Sequence, residues 1–402
     1  MNVPCSELAD RLRRVRADEG GAIVVFVAVI LVVVLGMAGL AIDLGRGYVV
    51  HARLGRAVDA SALAAARSLR QGQATARANG VAVARANGLT DGVNGVSTSF
   101  VFGTNADGEN TVTVAAGQPL STTFMRILGH QQMTIGASAT AAVPPVDLVM
   151  VLDQSGSLGS ANAWDDLQDA ARSFVQYFDD GIDRVGLVSY QVRGTERFQL
   201  DYDFTSSIIQ SISRMSSAGD TNTGEGLRLA DVQFSSVAAR PRAARVVIFF
   251  TDGRPTAFRG NLGGRDRVMA VYTTGSRIRG YFDNPDQLPT DRSATATGCR
   301  NVRNCLGMNE NAVRNRARAE GLQAARKLRR EGVLIYTIGL GNPRANSTLL
   351  VPDLSYLRSI ANEAGASNPN EPQGEMFFAP SASELRDVFR QVAQDLLVRL
   401  SR

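Results

Sequence analysis

The chain has 402 residues, 44% of them hydrophobic, and a formal net charge of +5 that comes almost entirely from arginine, Lys327 being its one lysine. That length allows more than one domain. The arginines are scattered rather than interleaved with aromatics, which argues against a nucleic-acid-binding stripe, and with only His51 and His130 beside three cysteines there is no zinc-type ligand spacing.

Residues 1–21 form an N-terminal tail with Arg11, Arg13, Arg14 and Arg16, expected on the cytoplasmic side. Ala22 to Ile42 contains no charged residue. As a helix it would extend about 31 Å, the thickness of a bilayer core. No small-residue cleavage site follows; Asp43-Leu44-Gly45-Arg46 comes next, so the segment reads as a retained anchor rather than a secretory signal. Arg46, Arg53 and Arg56 follow the span, so the balance of flanking charge favours a cytoplasmic N-terminus only slightly.

The alanine-rich stretch beyond the span is a strong helix former. It is expected to carry the helix from about Leu44 to Asn87, with breaks near Gly72 and Gly80. Small residues at Gly39, Ala60, Ala64 and Ala65 would permit close approach of another helix, and an exposed stalk is equally compatible. Asp43-Leu44-Gly45-Arg46-Gly47-Tyr48 together with the run Ala57 to Ala66 resembles the N-terminal region of TadE/TadG-like proteins of the tight-adherence (Flp) pilus system. Gly21 is followed by Ala22-Ile23-Val24-Val25-Phe26 with no glutamate at the position pilin-type processing requires, so the anchor is expected to stay uncleaved. Residues 43–143 as a whole read as a helix followed by a small α+β unit, with β-type segments at Val96–Phe102, Thr111–Val114 and Thr134–Val143.

Pro144-Pro145 marks an expected linker into residues 144–402, where apolar runs and helical patterns alternate. That alternation signals a doubly wound, mostly parallel α/β sheet. Strands are expected at Val146–Leu152, Arg184–Tyr190, Arg245–Thr251, Val333–Leu340 and Glu375–Ala379, with an antiparallel edge strand at Phe198–Phe204. Residues 254–308 interrupt the alternation as a Gly- and Arg-rich insertion without clear structure, either a segment that shapes partner choice, its arginines favouring an acidic ligand, or equally a mobile loop tethered by its cysteines. Within it Cys299 and Cys305 could close a small disulfide loop in an oxidising compartment. Ser381-Ala382-Ser383-Glu384 has the spacing of a capping box opening the last helix.

Three polar segments stand at strand ends: Asp153-Gln154-Ser155-Gly156-Ser157, Gly219 to Gly224 with Thr221, and Thr251-Asp252-Gly253. In an open parallel sheet such loops gather over one crevice. Two carboxylates and three hydroxyls meeting there would suit a hard divalent cation, which takes oxygen ligands. The order and spacing resemble the von Willebrand factor type A domain and its metal-ion-dependent adhesion site. The resemblance implies that Asp153, Ser155 and Ser157 hold Mg²⁺ (or Mn²⁺ or Ca²⁺), that Thr221 binds directly or through water, and that Asp252 acts through water. It also implies a protein ligand that presents Asp or Glu to the metal.

The expectation is therefore a single-pass protein of a bacterial inner membrane, with its C-terminal domain periplasmic or extracellular, engaged in pilus assembly or adhesion with pilin or Tad components as partners. Two other classes are distinguishable: a scaffold whose metal only stiffens the loops, and a Mg²⁺-dependent hydrolase. No phosphate-cradling lysine or suitably placed histidine supports catalysis, so no catalytic residue is assigned.

Overall fold

The computed structural model describes residues 19–106, 109–240, 242–272, 277–342, 350–365 and 368–400. The N-terminal arginines and Cys5 lie outside the described residues. The chain divides into two compact units, one made of residues 1–103 and 111–141, the other of 104–110 and 142–402.

In the first unit, helix α1 (Glu19–Arg67) contains the apolar run, whose side chains from Ile23 to Leu35 are largely exposed. Its 45 residues from Ile23 to Arg67 are long and apolar enough to cross a membrane. A short 3₁₀ turn (Leu69–Gln71) and Gly72, whose φ of 102° is open to glycine, separate it from α2 (Gln73–Ala86). Gly80 does not break α2. A Cβ there would sit 2.5 Å from the Phe100 ring and 3.1 Å from Ala65 Cβ, so this glycine lets α2 fold back against α1. The expected outward continuation of one long helix is thus a helical hairpin, sealed by Leu54, Ala57, Val58, Ala62, Ala65, Ala76 and Ala84. Strands β1 (Ser97–Thr104), β2 (Asn110–Ser121) and β3 (Gln132–Val143) form a sheet in that order.

The second unit is built on a six-stranded sheet. It uses β4 (Val146–Asp153), β5 (Arg184–Tyr190), β6 (Gly194–Asp201) and β7 (Ala244–Thr251). After an insertion whose strands β8 to β12 fall within residues 257–309, it adds β13 (Leu334–Leu340) and β14 (Met376–Ala379). The order is β14-β13-β7-β4-β5-β6, parallel except for the β5–β6 pair at one edge. Every residue of β4 and β5 is buried, which explains why they read as continuous apolar runs rather than as alternation.

Leu148, Met150 and Leu152 point into one core, with α4 (Trp164–Val175), α5 (Phe204–Arg214) and α9 (Leu385–Leu400). Val149 and Val151 point into the other, with α6 (Thr223–Ser236), α7 (Glu310–Arg330) and α8 (Leu354–Ala361). The β4 to β5 crossover therefore runs over one face and the β7 to β13 crossover over the other. The reversal between the neighbours β4 and β7 is the topological switch point, where a crevice opens beyond the strand ends. The expected capping box at Ser381 does not form: residues 382–384 make a 3₁₀ turn, and Ser381 Oγ pairs with Ser383 Oγ at 3.0 Å.

The insertion is folded, contrary to the sequence expectation. Strands β8 (Ala257–Leu262), β9 (Arg265–Val271) and β10 (Ile278–Asp283) make an antiparallel sheet, and β11 (Asn304–Cys305) pairs with β12 (Met308–Asn309). Phe258, Met269, Val271 and Ile278 pack into a cluster with Cys305 and Val313, while Ala257, Val268, Ala270 and Phe282 pack with Val192.

Candidate metal centre

Asp153 ends β4 and Thr251 ends β7, and the parallel register sets Leu152 opposite Phe250. The two terminal residues are therefore level, and Thr251 Oγ1 donates to Asp153 Oδ2 at 2.6 Å. Asp153 Oδ1 accepts the Ser155 N–H at 2.8 Å, which turns the chain sharply at the strand end. Tyr190 OH, which donates to the Phe250 carbonyl at 2.9 Å, lies 3.4 Å from Asp153 Oδ2.

The turn places Ser155 Oγ 3.0 Å from Ser157 Oγ and lets it donate to Asp252 Oδ1 at 3.3 Å. A second loop runs alongside. Ser217 Oγ donates to the Ser155 carbonyl at 2.6 Å, the Ala218 N–H to the Gln154 carbonyl at 2.7 Å, and the Gly156 N–H to the Gly219 carbonyl at 3.2 Å. Thr221 follows at the head of α6. Its N–H donates to Thr256 Oγ1 at 2.9 Å and its carbonyl accepts from the Thr256 N–H at 2.9 Å. Its hydroxyl lies 3.9 Å from the space a Cβ on Gly253 would fill. Hydrogen bonds thus join Asp153, Ser155, Ser157 and Asp252 directly, and Thr221 is held beside the Asp252-Gly253 turn.

Asp153 and Asp252 are fully buried. Burial pushes the Asp153 carboxyl up to about 6, against the hydrogen bonds from Thr251 and Ser155. Burial and then the Asp153 charge push Asp252 well above the usual carboxylate range. Asp252 Oδ2 is buried with no hydrogen-bond partner among the described residues. Two carboxylates so close and so dry do not both remain ionised unaided. A divalent cation is the counter-charge that this all-oxygen donor set fits. Among the described residues no cluster of three or more His, Cys, Asp or Glu groups could hold a metal, so hydroxyls would have to complete the shell.

The insertion borders this crevice. Gln191 Nε2 donates to the Pro289 and Thr290 carbonyls at 2.8 and 3.0 Å, Gln154 Nε2 also reaches Thr290 O, and Arg197 pairs with Asp291 at 2.7 Å. Asp220, next to Thr221, is paired with Arg279; burial raises its carboxyl and Arg279 opposes that. The insertion's arginines were expected to await an acidic ligand. Instead Arg259 is held by Asp266 and Asp286, Arg267 by Asp283 and Arg279 by Asp220, while Arg254, directly after the Asp252-Gly253 turn, is exposed. Cys299 and Cys305 are joined in a disulfide with Cα atoms 5.7 Å apart.

Gln154, Tyr190, Gln191, Thr251 and Thr256 were not singled out from the sequence. Only Thr251 carried a signal, as the hydroxyl residue immediately before the carboxylate at the end of an apolar run.

Residues 147–275 match the family model of the von Willebrand factor type A domain, and residues 20–68 match that of a putative Flp pilus-assembly TadE/G-like region. The chain carries an A-type domain behind a TadE/G-like region. The chain is 35% identical over 116 residues to von Willebrand factor A domain-containing protein 2 of Xenopus laevis, covering 27% of this chain and 15% of that protein. It is 37% identical over 117 residues to the transmembrane cell adhesion receptor mua-3 of Caenorhabditis elegans, covering 27% of this chain and 3% of the receptor. The chain thus spans a small fraction of the length of these curated relatives. Among solved structures, the vWF domain of the type V pili tip protein Mfa5 from Porphyromonas gingivalis superposes with a TM-score of 0.44 at 18% identity, over 65% of this chain and 98% of that one.

Proposed function

We propose that this is a membrane-anchored, pilus-associated protein whose A domain binds a protein ligand through a divalent cation. Asp153, Ser155 and Ser157 would hold the ion, Thr221 would complete the protein shell, and Asp252 would orient water bound to it. A carboxylate from the ligand would fill the remaining position, with the exposed Arg254 near enough in sequence to favour that charge. Mg²⁺ suits the site, and Mn²⁺ or Ca²⁺ would be accommodated by the same hard oxygens. The observation that carries this reading is the buried, unpartnered Asp252 Oδ2 beside Asp153, Ser155 and Ser157.

The apolar α1 and the TadE/G-like match support a membrane anchor and partners among pilin or Tad components. The disulfide supports an oxidising location for the A domain, periplasmic or extracellular across a bacterial inner membrane. The role is binding rather than catalysis.

Titration calorimetry of the full chain with Mg²⁺ and Mn²⁺ tests the site, and a pulldown of envelope proteins with and without EDTA tests the adhesion. Asp252→Ala should keep the fold by circular dichroism and lose cation-dependent capture. Absence of any cation uptake, or capture that persists in EDTA, defeats the reading.

A further inference from the structure

The connection between β2 and β3 runs along the membrane-side stretch of α1. Four residues of α1 spaced one turn apart receive it and the start of β3. Phe124 packs on Gly39, where an added Cβ would lie 2.4 Å from the ring; Asp43 accepts the N–H groups of Thr123, Phe124 and Met125, each at 2.8 Å; a Cβ added at Gly47 would meet the Met133 sulfur at 3.3 Å and Ile135 at 3.5 Å; and His51 Nδ1 lies 2.9 Å from the Gly136 carbonyl. Gly39, Asp43 and Gly47 are buried while their neighbours on α1 are exposed.

This arrangement fixes the depth of the tip. Gly39 lies inside the uncharged run that ends at Ile42. At the helical rise, that puts the Phe124 ring roughly 4–5 Å below the end of the run. The tip itself is apolar where a water-facing turn would be polar: Ile127 is 81% exposed and Leu128 76%. Most of its backbone N–H groups are also paired within the protein. Besides the three N–H groups on Asp43, the N–H groups of Thr122, Ile127, Gly129 and His130 donate to Gln131, Phe124, Arg126 and Met125 carbonyls. Internally paired backbone is the condition for entering hydrocarbon without a large penalty. Arg126, exposed between the apolar side chains, is long enough to return its charge to the headgroups.

We propose that residues 124–128 form a second membrane contact, an interfacial wedge seated in the bilayer beside α1, with Asp43 clamping it at that depth. The occupant of this surface is lipid at the boundary between headgroup and acyl chain. The proposal rests on reading α1 as membrane-spanning.

The test uses the full chain in phosphatidylcholine vesicles, with and without bromine on the acyl chains. Ile127→Trp and, separately, Leu128→Trp are placed on a Trp164→Phe background, because Trp164 is the chain's one tryptophan. Leu31→Trp, in the middle of the apolar run, and Val101→Trp, an exposed position on β1, serve as references. The expected result is loss of emission in brominated vesicles for Leu31→Trp and for both tip variants, strongest for the tip with bromine close to the glycerol end, and none for Val101→Trp. If Leu31→Trp is quenched and neither tip variant is, the wedge is overturned while the anchor stands; a tip covered by a protein partner or by water gives this outcome. If Leu31→Trp is not quenched either, the membrane reading falls and takes the wedge with it. Should Trp164→Phe impair folding, the same comparison is read as the added quenching of each variant over the parent chain.

Discussion

At the scale of single residues, the candidate metal centre depends on a threonine that would itself touch no cation. Thr251 donates the shortest of the hydrogen bonds that oppose the effect of burial on Asp153. Removing it leaves all five proposed ligands in place but lets the carboxylate rotate and hold its proton more firmly. Partners that orient a ligand in this way typically change metal affinity 10–100-fold. Thr251→Val is therefore expected to weaken Mg²⁺ binding by roughly 10-fold or more, read by titration calorimetry with unchanged circular dichroism. Tyr190→Phe should do less, since its hydroxyl sits 3.4 Å away and already donates to Phe250. Equal affinity in Thr251→Val and the parent chain would show that Asp153 needs no such support. The contrast also marks what sequence can reveal. Asp153, Ser155, Ser157 and Asp252 were legible because their spacing is local to two strand ends. Tyr190 and Thr256 were not, because their roles arise only when β5 and the start of the insertion are brought against those ends.

At the scale of elements, the six-stranded sheet was readable since buried parallel strands leave unbroken apolar runs bounded by turn residues. The insertion was not. In β9, Val268 and Ala270 face one cluster while Met269 and Val271 face another, so the two-residue alternation that would betray a strand is missing. Exposed Gly263, Gly264 and Arg265 precede its apolar residues, and exposed Arg277 follows them. The helical hairpin was missed for a related reason: Gly80 looks like a helix breaker until Phe100 and Ala65 are seen against it. Since the insertion is folded, its disulfide has a structured loop to hold. The two cysteines are 6 apart in sequence, and closing a loop this short is worth about 2 kcal/mol by the chain-entropy model. Replacing both Cys299 and Cys305 with Ser should make residues 254–308 the first site of limited proteolysis, with faster cutting there than in the parent chain. An identical cleavage pattern and rate would mean that the β8–β10 sheet needs no covalent support.

For the whole molecule, the open question is which way it sits in the membrane, and the structure changes the weight of the charges. Counted from sequence, Arg11, Arg13, Arg14 and Arg16 before the apolar run are nearly balanced by Arg46, Arg53 and Arg56 after it. Two of the latter have structural employment: Arg46 donates to Thr123 Oγ1 at 2.7 Å, and Arg53 to the Gly88 carbonyl at 3.2 Å. Their presence is accounted for by the folding of the first unit, which lowers their weight in the positive-inside count. The cysteines make this measurable. Cys5 lies before the span, and the other two are joined to each other. In intact spheroplasts a membrane-impermeant maleimide should leave the native chain unlabelled. Adding a reductant should expose Cys299 and Cys305 to the reagent, and opening the membrane should add Cys5. Labelling of a Cys299→Ser, Cys305→Ser chain in sealed spheroplasts would place the N-terminus outside. The A domain would then face the reducing side, where neither its disulfide nor a ligand on another cell surface could be met.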